Sequence, residues 1–210
     1  MTPPAHHESK ARLLGAAMNV IRAKGYAATT VDDICLAAGV TKGSFFHHFK
    51  TKDDLAVAAA DYFSAAAEDL FATAPYHDAQ DPLERLMGYV DFRASILTGE
   101  LHDYTCLLGT LVQETYATHP SIRAACDKGM SLHIATLMPD IKAAKKRYAP
   151  KATWSAESLG YFVQSVLQGS FIQSKAKQSP QVAHENLRHL RRYIETQFAP
   201  TKPGGSIAHM

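Results

Sequence analysis

Residues 29–55 contain two short helical patterns separated by one glycine, and this arrangement constrains the fold more than any other part of the chain. Thr30, with Asp33 three residues later, can cap the first helix, and Gly39 can take the left-handed conformation that ends it. Thr41 can then cap the second helix. The segment therefore predicts a helix-turn-helix corner, which occurs in DNA-binding proteins and also in many other helical proteins.

The two faces of the second helix differ in chemistry. Phe45 and Phe49 lie four residues apart, so they form an apolar stripe that faces the core. The segment from Thr41 to Lys52 contains three lysines and no acid. The polar residues of the opposite face are Lys42, Ser44, His47 and His48. A short helix with a donor-rich, acid-free face suits the DNA major groove, whereas a generic helical corner does not need one.

The rest of the chain has helical periodicity and no strand pattern, which predicts an all-α fold of about nine helices. The fourth helix is about 35 Å long at 1.5 Å per residue, which is enough to bridge two domains. Proline ends several of these helices and begins others. Besides the two helices of the corner, the sequence predicts helices over residues 9–24, 52–74, 104–116 and 155–177. Three further helices begin at residues 82, 120 and 180, and the one from 120 bends or breaks at 138–139.

The run GVTKGSFFHHFKTKDDL at residues 39–55 resembles the DNA-binding domain of the tetracycline-repressor (TetR) family at nearly every position of that family's hallmark motif. Residues between Ile21 and Ile34 also match the family's first helix, linker and second helix. The family usually has tyrosine where this chain has Phe46, and the tyrosine commonly reaches a DNA phosphate. That contact is therefore expected to be missing here. The run CLLGTLVQE at residues 106–114 is similar to a motif in one branch of the family.

The resemblance implies a DNA-binding domain over residues 8–68 and a ligand-binding and dimerisation domain over residues 69–199, with disordered tails at 1–7 and 200–210. It implies a homodimer on a palindromic double-stranded DNA operator, with recognition helices about 34 Å apart. The residues expected to read bases, contact phosphate or shape the approach are Thr29, Thr30, Thr41, Lys42, Gly43, Ser44, Phe46, His47, His48 and Lys52.

The middle helices hold aromatic and methionine residues with few charges, and such a set can line an apolar pocket or fill an ordinary core. Arg93 lies in an otherwise apolar helix, where it can meet an anionic ligand, pair with an acid such as Glu114, or reach solvent. The candidate pocket residues are Tyr62, Phe63, Tyr89, Phe92, Arg93, Cys106, Met130, His133 and Phe162.

The last two helices carry apolar stripes. Such stripes pack on the chain's own core or, as the resemblance implies, pair with a second subunit in a four-helix bundle. Small residues in the first of these helices permit close helix packing. The candidate interface residues are Leu159, Phe162, Val163, Val166, Ser170, Leu187, Leu190 and Ile194.

These features together indicate a ligand-responsive transcriptional regulator, most simply a repressor, in which ligand binding moves the fourth helix as a lever. One alternative is an all-helical small-molecule carrier without a DNA function. Another is a thiol-based redox sensor in which Cys106 is the input, because a helix N-terminus, with Lys175 if it lies close, favours the thiolate. Cys106 as a small apolar core residue is also open.

Composition excludes several other classes. The 210 residues carry a net charge of only +2, so a basic surface for nucleic acid must be local. We expect neither a signal peptide nor a transmembrane span, and three cysteines without metal-site spacing indicate a reducing cytoplasm. The 11 histidines are scattered, which predicts no metal site. No phosphate loop, nucleophile elbow or cofactor motif is present, so the sequence indicates neither an enzyme nor a cofactor.

Overall fold

The computed structural model describes residues 5–199, with side chains from residue 8 onward. Over this range it contains ten α-helices and no strand, which confirms the all-α prediction with one helix more than expected. A 3-10 turn at Pro75–Asp78 lies between α4 and α5. The helices are α1 Ala5–Lys24, α2 Val31–Ala38, α3 Lys42–His48, α4 Lys52–Ala72, α5 Pro82–Ser95, α6 Leu101–Tyr104, α7 Leu107–Thr115, α8 Pro120–Tyr148, α9 Ala156–Lys177 and α10 Gln181–Phe198.

The extra helix is α6, which ends where the predicted helix over residues 104–116 was expected to begin. Glu100 and Asp103 form a capping box that starts the single turn of α6, and Thr105 is extended, so the predicted helix begins only at Leu107. The Sγ atom of Cys106 then accepts a hydrogen bond from the backbone of Gly109 at 3.4 Å, so a new helix begins. A thiol is an uncommon cap, so the sequence places Cys106 near a helix N-terminus without marking it as the cap residue.

The helix that contains Pro139 is not broken. α8 runs through this proline as one helix of 29 residues. Proline removes one backbone hydrogen bond, but α8 packs against α4, α5, α7 and α9 along its length. These tertiary contacts outweigh the local preference.

Residues 5–7, which we assigned to the N-terminal tail, form the first turn of α1. The rest of the predicted tails, residues 1–4 and 200–210, lies outside the described residues. No helix of the described chain has the length and apolarity needed to cross a membrane.

Two apolar clusters form the core. The first joins α1–α4 to Leu107, Leu111 and Ile122 of α7 and α8. The second is built from α5, α8, α9 and α10, and it includes Phe71 from the end of α4. Because α4 contributes Leu55 near its start to the first cluster and Phe71 to the second, it connects the two rigidly.

Candidate DNA-binding surface and effector cavity

The corner between α2 and α3 is closed by local hydrogen bonds. Thr30 Oγ1 accepts from the Asp33 amide at 3.1 Å, and Asp33 Oδ2 accepts from the Thr30 amide at 2.8 Å. Gly39 ends α2 with φ of 61°, a left-handed conformation that favours glycine. Thr41 Oγ1 accepts from the Ser44 amide at 3.2 Å and so starts α3. The structure of this corner is therefore the one that its cap residues predict.

Arg12 of α1 holds this corner from outside, and sequence reasoning missed it. Its Nε donates to the Ala38 carbonyl at 2.8 Å and its Nη2 donates to the Gly39 carbonyl at 2.7 Å. These carbonyls are left without partners when α2 ends, and an arginine fork suits them. No local signal marks a partner 26 residues away.

The outward face of α3 is accessible. Phe45 and Phe49 are buried as predicted, while Ser44 and His48 are half-buried. His48 is hydrogen-bonded to Ser9 Oγ of α1 at 2.7 Å, which fixes the end of α3. The exposed residues of the predicted DNA surface are Thr30, Thr41, Lys42, Gly43, Phe46 and His47.

The face is less positive than the α3 sequence suggests. Asp32 of α2 forms an ion pair with Lys42 at 2.8 Å, and this hydrogen bond raises the pKa of Lys42. Both side chains are largely exposed, so the pair is weak and can exchange for a phosphate contact. The expectation of an acid-free surface considered α3 alone and omitted its neighbouring helix.

Thr29 and Lys52 do not present their polar groups as expected for phosphate contacts. Thr29 is buried and donates to the Gly25 carbonyl at 2.6 Å. Lys52 Nζ donates to the carbonyls of Tyr26 and Thr29 at 3.0 and 2.9 Å, and lies 4.1 Å from the centre of the Tyr26 ring. The Thr29 side chain instead closes the loop between α1 and α2, and Lys52 holds that loop against the start of α4.

Tyr26 is the meeting point of four elements. Its hydroxyl donates to Asp53 of α4, and burial together with this carboxylate raises its pKa. His119, just before α8, meets the Tyr26 ring edge-on at 5.4 Å. Glu114 of α7 accepts from the amides of Tyr26 and Ala27 at 3.1 and 2.7 Å. The α1–α2 loop, which leads into the helix-turn-helix corner, is therefore connected directly to both α4 and α7.

A cavity of about 860 Å³ lies between α4, α5, α8 and α9. This volume is in the range of small-molecule sites. Of the residues predicted for a pocket, those that line it are Phe63, Arg93, Cys106, Met130 and His133. The lining also includes aromatic residues that we did not select, namely Phe71, Tyr76, Tyr104 and Phe171.

The other four predicted pocket residues lie elsewhere. Tyr62 points to solvent from the outer face of α4, and Phe162 does so from α9. Tyr89 is buried behind the lining and is hydrogen-bonded to His133 Nε2 at 2.8 Å, while Phe92 packs against Phe71. Aromatic type alone could not separate these positions from the cavity wall.

Cys106 lies where this cavity meets a smaller one of about 560 Å³ between α1, α6, α7 and α9. It is half-buried, whereas Cys35 and Cys126 are buried. Lys175 also lines the smaller cavity and donates to Thr110 Oγ1 at 2.9 Å. Burial lowers the pKa of Lys175, and the neighbouring Cys106 opposes that shift.

Most of the predicted dimer stripe is core of a single chain. Six of its eight residues are buried within the described monomer: Leu159, Val163, Ser170, Leu187, Leu190 and Ile194. An alanine Cβ at Gly160 would lie 3.0 Å from Ile134, so this small residue admits α8 of the same chain. The assignment of these six residues to the interface is wrong, because an apolar stripe indicates burial without identifying the partner.

A second, exposed face of α9 and α10 carries the remaining apolar residues. Phe162 and Tyr193 are 40% and 41% exposed, and their rings lie 4.6 Å apart. Val166 is half-buried beside them, and Gly169 has open space where a Cβ would be. Ile172 is also exposed, but it lines the smaller cavity.

A helix-turn-helix unit on a larger helical body that encloses a cavity defines the class of DNA-binding transcriptional regulators. Comparison with known families agrees. The family described as bacterial regulatory proteins, tetR family, matches residues 13–59, and the C-terminal domain of LmrA/YxaF-like transcriptional regulators matches residues 82–189. The chain belongs to the TetR family and is a DNA-binding regulator.

Individual relatives are distant. The transcriptional regulator AcuR of Cereibacter sphaeroides is 27% identical over 191 residues, covering 88% of this chain and 84% of that protein. A TetR regulator from Chloroflexus aurantiacus superposes with a TM-score of 0.80 at 22% identity over 92% of this chain and 97% of its own. The reduced form of Escherichia coli NemR gives 0.76 at 20% identity, over 92% and 100% of the two chains.

Proposed function

We propose that this chain is a repressor that leaves its operator when a small molecule enters the cavity between α4, α5, α8 and α9. The observation that carries the proposal is the course of α4. Its first residue, Lys52, holds the α1–α2 loop, and its last two turns supply Phe71 to the cavity wall. A ligand that displaces Phe71 therefore acts on the same rigid element that positions α3.

DNA recognition is assigned to the exposed face of α3. Lys42 and His47 lie on this face, where their donors can reach base edges in the major groove. Gly43 permits close approach, and Phe46 supplies an apolar contact surface where the resemblance expects a phosphate-binding tyrosine. Thr30 and Thr41 border the face and can contact the phosphates on either side.

Coupling has a second route through α7. Cys106 at the head of this helix lines the cavity, and Glu114 at its end binds the amides of the α1–α2 loop. A ligand need only favour one arrangement of α4 and α7 over another. A differential affinity of about 1–3 kcal/mol is typical of such coupling and gives about a 5- to 150-fold change in operator affinity.

A homodimer is part of the proposal, because a palindromic operator requires two helix-turn-helix units related by a twofold axis. The exposed face of α9 and α10 around Phe162 and Tyr193 suits this contact. Its apolar rings are exposed in the monomer, and Gly169 allows a second backbone to approach closely. This replaces the buried stripe that sequence periodicity indicated.

Cys106 provides a second candidate input. It is the least buried cysteine of the described chain and borders both cavities, so an electrophile in either one can reach it. The solved structure of Escherichia coli NemR is that of its reduced form. In this version the signal is covalent modification of Cys106, and α7 carries it to the α1–α2 loop.

The test is a DNA-protection footprint on the region upstream of the protein's own gene. A repressor should protect a palindromic segment at sub-micromolar protein. His47→Ala should change the order of preference among operator variants, because a base contact is lost. A chain that protects no DNA but binds small molecules would be a carrier, and this outcome would refute the proposal.

A further inference from the structure

One cation in the cavity, Arg93, has no acidic partner among the described residues. Arg93 of α5 projects into the cavity wall, where the centre of its guanidinium lies 5.1 Å from the Phe71 ring and 5.8 Å from the Phe171 ring. Its Nε is shielded from solvent and has no hydrogen-bond acceptor. Within residues 8–199 its guanidinium forms no ion pair. An N–H group left in this state is unfavourable, and more so on a charged side chain.

The nearby acids are engaged elsewhere. Asp140 is held by Arg85 at 2.7 Å, and Asp91 is held by Arg191 at 3.0 Å. Glu114, the partner that the sequence suggested for Arg93, instead accepts the two amides of the α1–α2 loop.

The cavity lining itself offers Arg93 no internal carboxylate either. Asp61 pairs with Lys128 at 3.1 Å, and both side chains are more than half exposed. Glu68 is exposed, and it does not pair with Arg93 in the described chain. Solvent can screen these carboxylates, whereas the Nε of Arg93 is shielded from it.

The remaining polar groups near Arg93 do not compensate its charge. Burial, followed by the positive charge of Arg93, lowers the pKa of His133 to about 3, so the imidazole is neutral at physiological pH. Its Nε2 already shares a hydrogen bond with Tyr89. Lys128, the other lining cation with a full charge, is paired with Asp61. Arg93 is thus the one uncompensated cation among the described lining residues.

The surroundings define the rest of the ligand. The guanidinium lies over the two phenylalanine rings, which offer no hydrogen-bond acceptor, so its N–H groups are left to bind an oxyanion. Apolar side chains such as Phe63, Leu108 and Met130 line the cavity beyond them. A small inorganic anion would leave this apolar volume unfilled, and a neutral apolar molecule would leave Arg93 unsatisfied.

We propose that the cavity takes an amphipathic organic acid, with its carboxylate or other oxyanion on Arg93 and its apolar body against Phe71, Phe171 and Met130. This inference rests on the effector role proposed for the cavity and names the chemical class of the effector. A bidentate arginine–oxyanion pair is one of the stronger polar contacts in proteins.

Two fluorescent probes with the same aromatic framework test this class. 8-Anilinonaphthalene-1-sulfonate carries an anionic group, and N-phenyl-1-naphthylamine has none. Arg93→Met keeps an unbranched apolar stem and removes the guanidinium, so it should weaken binding of the sulfonate by about tenfold or more and leave the neutral probe bound. Arg93→Lys keeps the charge without the fork and should fall between Met and wild type.

Three controls locate the effect. Lys128→Met removes a lining cation that is already paired, and it should bind both probes as wild type does. Ala67→Trp places a large side chain in the cavity wall and should remove both probes. Retention of either probe by this variant would place the probe outside the cavity and overturn the proposal. Circular dichroism melts verify that the Arg93 variants are folded.

The proposal is also overturned if Arg93→Met binds the sulfonate as tightly as wild type does, or if it loses both probes equally, which would indicate a packing role. These measurements use no DNA. A selective loss of the sulfonate alongside a failed footprint would refute the repressor and keep the anion site. A successful footprint with no effect of Arg93→Met would refute the anion site alone.

Discussion

Lys52 separates two accounts of the DNA-binding domain, because the family motif suggests a phosphate contact and the structure gives its ammonium two internal carbonyl partners. We consider Lys52→Met, which keeps most of the aliphatic stem. Hydrogen bonds to a charged group contribute about 1.5–3 kcal/mol each, and a cation–π contact adds about 0.5–1 kcal/mol. Lys52 is half-buried, so water replaces part of these interactions, and the expected net loss is about 2–3 kcal/mol.

The assay is thermal unfolding at fixed protein concentration, since dimerisation shifts the melting temperature. For a chain of this length a loss of 2–3 kcal/mol corresponds to a decrease of about 5–10 °C. Lys50→Met is the matched control, because Lys50 is exposed and its substitution removes the same charge two residues away. It should leave the melting temperature within about 1–2 °C of wild type.

Operator binding over a range of salt concentrations completes the comparison. Loss of one phosphate contact flattens the slope of log affinity against log salt by about 0.9. Lys52→Met should retain the wild-type slope once the protein is folded. If it melts as wild type does and flattens the slope instead, the internal contacts of Lys52 do not stabilise the fold and our reasoning is wrong.

Three further predictions concern the body of the protein. Burial lowers the pKa of His133 to about 3. Between pH 6.5 and pH 3 only the unfolded chain therefore protonates this imidazole, so acidification destabilises the fold by about 1.4 kcal/mol per pH unit. His133→Gln should lack this part of the acid sensitivity that wild type shows. Phe162→Asp should sediment as a folded monomer, whereas Leu70→Asp, equally exposed on α4, should stay dimeric, and a dimeric Phe162→Asp would exclude this face. In native protein, iodoacetamide followed by mass spectrometry should modify Cys106 first and Cys126 last, because burial raises the pKa of Cys126 to about 12; equal rates would remove Cys106 as a selective input.

The parts of the structure that sequence reasoning predicted well are those whose signals are local. The corner between α2 and α3 follows from Thr30, Gly39 and Thr41, each of which acts within four residues of itself. Arg12 and Glu114 complete the same unit from 26 and about 88 residues away, and nothing in their neighbourhood indicates it. Long-range polar partners require the fold, because loop closure can bring almost any pair together.

Burial was predicted more reliably than the identity of the burying partner. Leu159 and Val163 lie on an apolar stripe and are buried, as periodicity indicates, but the partner helices belong to the same chain. The exposed Phe162 lies three residues from Leu159 and was grouped with it. For the cavity, Arg93 was identified as unusual, yet only the structure shows that its expected acid binds elsewhere.

The first apolar cluster has a consequence for engineering. Leu107, Leu111 and Ile122 complete the packing around α1–α4. The core of the DNA-binding segment therefore depends on side chains from helices more than 40 residues further along the chain. A fragment ending at residue 68 would expose that surface to water. A hybrid that exchanges the N-terminal DNA-binding helices between relatives should therefore include the contact residues of α7 and of the start of α8 from the same donor. Hybrids spliced only within α4 should aggregate, and restoring the donor's residues at these three positions should recover their solubility.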